Sequence, residues 1–182
     1  LRLTILHASL RGVLGYYSSA DEYPQEVHPS SNRRKSIYMN SQAMKVGSDL
    51  YMATLAHELQ HVSHWTGDHG EDTWVDEGLS ELASTVAGYP VASASLLSGL
   101  GAVSLTRWPD TSPDVGRHYA ATYSFFRYLT QHYGGLNDLV LLLQEPADGA
   151  AGIEAYLAGL DTPADFTEVF GAWTIANLLG AR

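Results

Sequence analysis

The stretch from Asp49 to Trp65 constrains this chain more than any other, because Leu50, Ala53, Thr54, Ala56, His57 and His61 recur at helical spacing until Gly67 stops the pattern. Inside it stand His57-Glu58-Leu59-Gln60-His61. Residues four apart lie about 40° from each other around a 3.6-residue helix, so both imidazoles fall on one face. Two rings so placed can bind one zinc ion, with Glu58 between them facing a water on that metal. A catalytic zinc takes three protein ligands and keeps one position open, so His57 and His61 require a third nitrogen or oxygen donor.

Candidates for that donor follow 16 and 20 residues after His61. In Glu71-Asp72-Thr73-Trp74-Val75-Asp76-Glu77-Gly78-Leu79-Ser80-Glu81, Glu77 and Glu81 share one face of a second helix, and the spacing lets either reach a metal. An acidic helix start favoured by the helix dipole is the competing reading of the same residues. The chain has no cysteine, which removes disulfides, a thiol nucleophile and thiolate zinc ligands, so any metal must use His, Asp or Glu.

With 182 residues and 45% hydrophobic content, positions 1–182 can bury a sizeable core, and a single domain is expected. Ten basic against 20 acidic residues give a net charge of -10, which argues against nucleic acid or an anionic membrane surface as the main partner. Arg33-Arg34-Lys35 is the one basic cluster, and a solvated loop is its expected setting. No apolar run approaches the length of a membrane span; the longest, around Leu139 to Leu143, suits a buried helix. Opening at Leu1 without an initiator Met or a signal pattern, the chain reads as a processed or excised part of a longer one.

Alternation predicts strands at Leu1 to His7 and Ser36 to Asn40, with a long polar loop, Ser18 to Lys35, between them. Thr73 and Asp76 suggest a capping pair for the second helix, which runs to about Ala87 before Gly88 and Pro90. Ala92 to Leu105 reads as a further helix or a helical hairpin, and Trp108 to Pro113 as a turn-rich break. Helical patterns follow at Arg117 to Tyr133, Leu136 to Gln144, Ile153 to Leu160 and Ala164 to Leu179. A small N-terminal sheet followed by a mostly helical region is an α+β layout.

Thr54-Leu55-Ala56-His57-Glu58-Leu59-Gln60-His61 together with Trp74-Val75-Asp76-Glu77-Gly78-Leu79-Ser80-Glu81-Leu82-Ala83 resembles the gluzincin zinc metallopeptidases, and most closely the hyicolysin-type secreted bacterial neutral enzymes. The resemblance implies a thermolysin-like catalytic domain, with Glu77 as third zinc ligand and Glu81 as a carboxylate supporting a ligand histidine. Tyr119 and the segment Ala120 to Leu129 resemble the helix whose leading tyrosine stabilises the oxyanion in the aminopeptidase branch. Ala121-Thr122 stands where that branch has Lys-Gly, which keeps Tyr123 and His118 open as alternatives. The family places a substrate-pairing edge strand before the zinc helix, and Gly12 to Tyr17 or Ser36 to Asn40 could fill that role. The Gly-x-Met-Glu-Asn motif of aminopeptidases is absent from both, which points to an endopeptidase.

His64, three residues past His61, is expected at the surface or the core edge rather than as a fourth donor, while His7, His28, His69 and His132 have no partner at ligand spacing. Asp68, Glu71 and Asp72 lack the alternating pattern of a calcium loop. The expectation is therefore Zn²⁺ held by His57, His61 and Glu77, Glu58 as general base and Tyr119 as oxyanion donor, acting on a peptide or protein substrate outside the cell. The alternatives are a metal-binding interaction module without catalysis and a hydrolase of the same fold acting on a non-peptide substrate. An intact Glu58 argues against the former, because a structural site needs no base between its ligands.

Overall fold

The computed structural model of the chain describes residues 2–97, 103–109 and 114–180. Their architecture is α+β, with three strands followed by a mostly helical region. Strands β1 (Thr4–Ala8), β2 (Gly15–Tyr17) and β3 (Ser36–Asn40) form one sheet in the order β1-β3-β2. β1 runs parallel to β3 with Leu6 opposite Tyr38, and β2 runs antiparallel to it with Tyr16 opposite Tyr38. Both edges of β3 are thus occupied, and of the two segments proposed for substrate pairing only the one ending in β2 has an edge facing away from the sheet.

Local chemistry holds these strands in place. Asn40 donates from Nδ2 to the carbonyls of Leu10 and Val13, at 2.9 and 2.8 Å, which fastens the 9–14 segment to the end of β3. The long loop, which contains a 3-10 turn over Ser19–Glu22, is organised by buried Asp21. Its carboxylate accepts from the Asn32 backbone N–H at 2.7 Å and from the Tyr38 hydroxyl at 2.5 Å. In the basic cluster, Arg33 pairs with Glu26 and Lys35 with Glu22, each at 3.2 Å.

Helix α1 (Asp49–Gly67) packs against the sheet on one side and against α2 (Thr73–Val86) on the other. Its sheet side contributes Tyr51 and Val62 to a small core with Ile37, Met39 and Met44. Its C-terminal end has no room for a side chain: a Cβ on Gly67 would lie 2.2 Å from the Leu143 carbonyl oxygen. α2 in turn crosses α3 (Val115–His132), and glycine at 78 permits the approach, since a Cβ there would meet the Phe126 ring at 2.4 Å. Around that crossing lies the main core, built on Trp74, Leu79, Phe125, Phe126, Leu129 and Trp173. Short α4 (Leu139–Leu142), α5 (Gly149–Gly159) and α6 (Phe166–Leu179) close it from below.

Several boundaries differ from the sequence expectation for physical reasons. α2 begins after Asp72, and Asp76 does not reach back to cap it because both of its oxygens are taken by histidines. Among the described residues of Ala92 to Leu105 there is a 3-10 turn at Ala92–Leu96 and no α-helix, where small side chains offer little area for tertiary packing to stabilise a longer helix. Residues 98–102 of that stretch, and 110–113 of the expected turn, lie outside the described residues. α6 starts at Phe166 behind a capping box in which Asp165 and Glu168 bond reciprocally. No helix is long and apolar enough to cross a membrane among the described residues.

Candidate metal centre

The helical spacing of His57 and His61 is realised in α1, and their Nε2 atoms lie 3.1 Å apart. Glu77, brought in by α2, places Oε2 at 3.1 Å from the first and 3.5 Å from the second. Ligands about 2.0–2.1 Å from a tetrahedral zinc stand roughly 3.3 Å from one another. The three atoms thus already have the mutual spacing of three corners of such a site.

The opposite ring nitrogens are engaged by carboxylates. Glu81 Oε1 lies 3.3 Å from His57 Nδ1. Asp76 Oδ2 accepts from His61 Nδ1 at 2.9 Å, and the Ser80 hydroxyl lies 3.2 Å from the same nitrogen. Carboxylates behind both rings fix the tautomer that leaves Nε2 free for a metal. The second oxygen of Glu81 is itself hydrogen-bonded by Ser93. The family resemblance implies this supporting role for Glu81, whereas for Asp76 the sequence suggests only a helix cap. The available signal was its position one turn before Ser80 on α2, since both residues meet His61.

Electrostatics agree with a cluster built around a cation. Burial favours the neutral form of His57, but hydrogen bonds with Glu77 and Glu81 outweigh it and hold its pKa up at about 9. For Glu77, burial opposes ionisation, yet its bonds to His57 and His61 bring the pKa down to about 2.

Glu58 is 5% exposed. Burial raises its pKa against the pull of His57 and His61, and it accepts from the Tyr17 backbone N–H. Gly15 lies directly against it: a Cβ at that position would fall 3.2 Å from Glu58 Oε1 and 2.9 Å from Thr54 Cγ2. Only glycine lets β2 come this close to α1. Tyr119, in the first turns of α3, stands with its ring 6.1 Å from that of His57. Burial and the neighbouring carboxylates of Glu77, Glu81 and Glu58 raise its pKa, so the phenol keeps its proton. Tyr123 instead lies in the core with its hydroxyl bonded by Thr85, and His118 packs against Trp108.

His57, Glu58, Glu81 and Tyr119 line a cleft of about 540 Å³. Its floor is α1 from Leu50 to Glu58, one wall is the segment Gly12 to Gly15, and the other is formed by Val91, Leu96 and the start of α3. His64 is not among them. The expectation of a surface or core-edge residue is corrected here, for its ring is fully enclosed and bonded through Nδ1 to Asp76 at 3.0 Å. Compared with known proteins, the chain matches no protein-family model and no curated protein.

Proposed function

We propose that the chain is a zinc-dependent peptidase of the gluzincin type, an endopeptidase acting outside a bacterial cell, and that Gly12 to Tyr17 is its substrate-pairing edge. The observation that carries this reading is the convergence of His57 Nε2, His61 Nε2 and Glu77 Oε2, with carboxylates behind both rings and the buried Glu58 beside them. His57, His61 and Glu77 would hold Zn²⁺, which when bound polarises a carbonyl and lowers the pKa of water.

The chain's own residues divide the remaining work. Glu58, its proton affinity raised by burial, takes a proton from the attacking water and returns it to the leaving amine. Glu81 and Asp76 keep the two rings in register through Nδ1. The edge of β2 turned away from β3, at Gly15 and the backbone before it, offers main-chain hydrogen bonds to an extended peptide laid along the cleft, which favours a peptide over a substrate without a repeating amide backbone. Tyr119 keeps its proton and donates to the oxygen on which negative charge develops.

Digestion of casein or a mixed peptide library tests the reading directly. Cleavage is expected from the zinc-loaded protein, loss of it on chelation, and return on adding zinc back; a zinc-loaded protein that leaves every peptide intact would overturn the proposal. Within the same assay, Tyr119→Phe retains the ring but removes the donor. It should lower kcat by about 10²–10³-fold, the equivalent of roughly 3–4 kcal/mol, with zinc content and Tm nearly unchanged. Unchanged turnover with a lowered Tm would make Tyr119 a packing residue.

A further inference from the structure

We infer that the chain carries a second divalent-metal site, formed by His64, Asp68 and Glu71 where α1 ends and turns toward α2. His64 lies one turn beyond the first centre, and Asp68 follows four residues later, on the same side of the chain. The His64 side chain is 2% exposed and that of Glu71 3%. Because Asp76 holds Nδ1 of His64, its Nε2 points away from the first centre and into this turn.

His64 Nε2, Asp68 Oδ2 and Glu71 Oε2 are all buried, and none has a hydrogen-bond partner. Six buried side-chain atoms are in that condition among the described residues, and three of them belong to this one group, whose members each bring a ligand atom within 4.8 Å of the others. Such atoms are rare in folded proteins, and three converging on one point share one missing partner. The other atoms of these groups are already committed. Asp68 Oδ1 accepts from the Gly70 N–H at 3.0 Å, and Glu71 Oε1 accepts from the Asp72 and Gly149 N–H groups at 2.7 Å each. The carboxylates are thereby held in place with one oxygen apiece turned inward.

The shared partner must be positive to satisfy two carboxylates and must accept an imidazole lone pair. The described Lys and Arg ion pairs lie elsewhere, on Glu26, Glu22 and Asp114. A divalent ion of the zinc class meets both demands, whereas calcium takes six to eight oxygens and no imidazole. Tetrahedral donors about 2.0–2.2 Å from such an ion stand roughly 3.3–3.6 Å apart. The 4.0 Å between His64 Nε2 and Glu71 Oε2 is within about half an ångström of that spacing, a gap that small rotations of the two side chains close. With three protein ligands in a buried turn, the ion fastens the α1–α2 connection to the start of α5 through Glu71 and Gly149. Asp76 ties the two centres together, with one oxygen on His61 and the other on His64.

The site stands independently of the peptidase reading, and metal content separates the two. The whole chain is loaded with Zn²⁺, freed of excess ion and analysed by mass spectrometry, alongside Glu77→Ala, the double variant Asp68→Asn/Glu71→Gln, and all three changes combined. Expected are about two zinc ions per chain for the unaltered protein, about one for Glu77→Ala and for the double variant, and none for the combination. Glu71→Gln retains an oxygen for the Gly149 and Asp72 N–H groups, and circular dichroism checks that the fold survives. Should the double variant not fold, Asp68→Asn alone should weaken zinc binding at this site by about 10-fold or more and lower the Tm of the zinc-loaded protein. A double variant that keeps the full zinc content, or an Asp68→Asn variant with unchanged affinity and Tm, refutes the second site and leaves the first intact. Loss of zinc from the double variant but not from Glu77→Ala would support the second site while removing the basis of the first.

Discussion

Replacing Glu58 with Gln is expected to abolish peptide hydrolysis while leaving the zinc in place. The amide has the shape of the carboxylate and can still accept the Tyr17 N–H, so the packing of α1 against β2 should persist. What it cannot do is take a proton. General acid–base catalysis contributes about 10²–10⁴-fold, and a group that must both accept and return the proton belongs at the upper end of that range. The measurement is kcat on a peptide substrate, with zinc content determined on the same sample. A metal-replete Gln variant with comparable kcat would exclude Glu58 as the base, and attention would pass to the other carboxylates around the cleft.

The second large effect separates two glutamates one turn apart. Glu77→Ala should release the zinc held with His57 and His61, because two imidazoles alone make a poor site, and activity should disappear with it. Glu81→Ala removes a carboxylate that meets His57 at Nδ1, the nitrogen turned away from the metal, so zinc affinity should weaken by about 10–100-fold. Competition with a zinc-binding dye reads both. The reverse order, with zinc retained after Glu77→Ala and lost after Glu81→Ala, would mean that the two roles had been exchanged. Because a second site is proposed close by, these titrations are cleanest in the Asp68→Asn/Glu71→Gln background.

What the sequence reveals by itself is what depends on chain-local geometry. Four residues on a helix place His57 beside His61, and that relation follows from helix geometry alone. The same geometry carries α1 from Asp49 to its stop at Gly67 and puts Glu77 and Glu81 on one face of α2. It also yielded the α+β layout, since the change from a two-residue to a 3.6-residue period is written in the chain. Residue spacing carries nothing about a role that depends on what lies opposite. Asp76 has the composition and position of a helix cap, and only the packing of α2 on α1 turns its two oxygens to His61 and His64. His64 looked peripheral because a lone histidine carries no sign of its burial, which is settled by the chain that folds over it. The choice between Gly12 to Tyr17 and Ser36 to Asn40 as the free edge was likewise undecidable from periodicity, because a strand's sequence does not say how many neighbours it has. The sheet order decides it by setting β3 in the middle. The sequence determined which side chains share a face; the tertiary structure decided which faces meet, because contacts between distant segments arise from the packing of the whole core rather than from the spacing of neighbours.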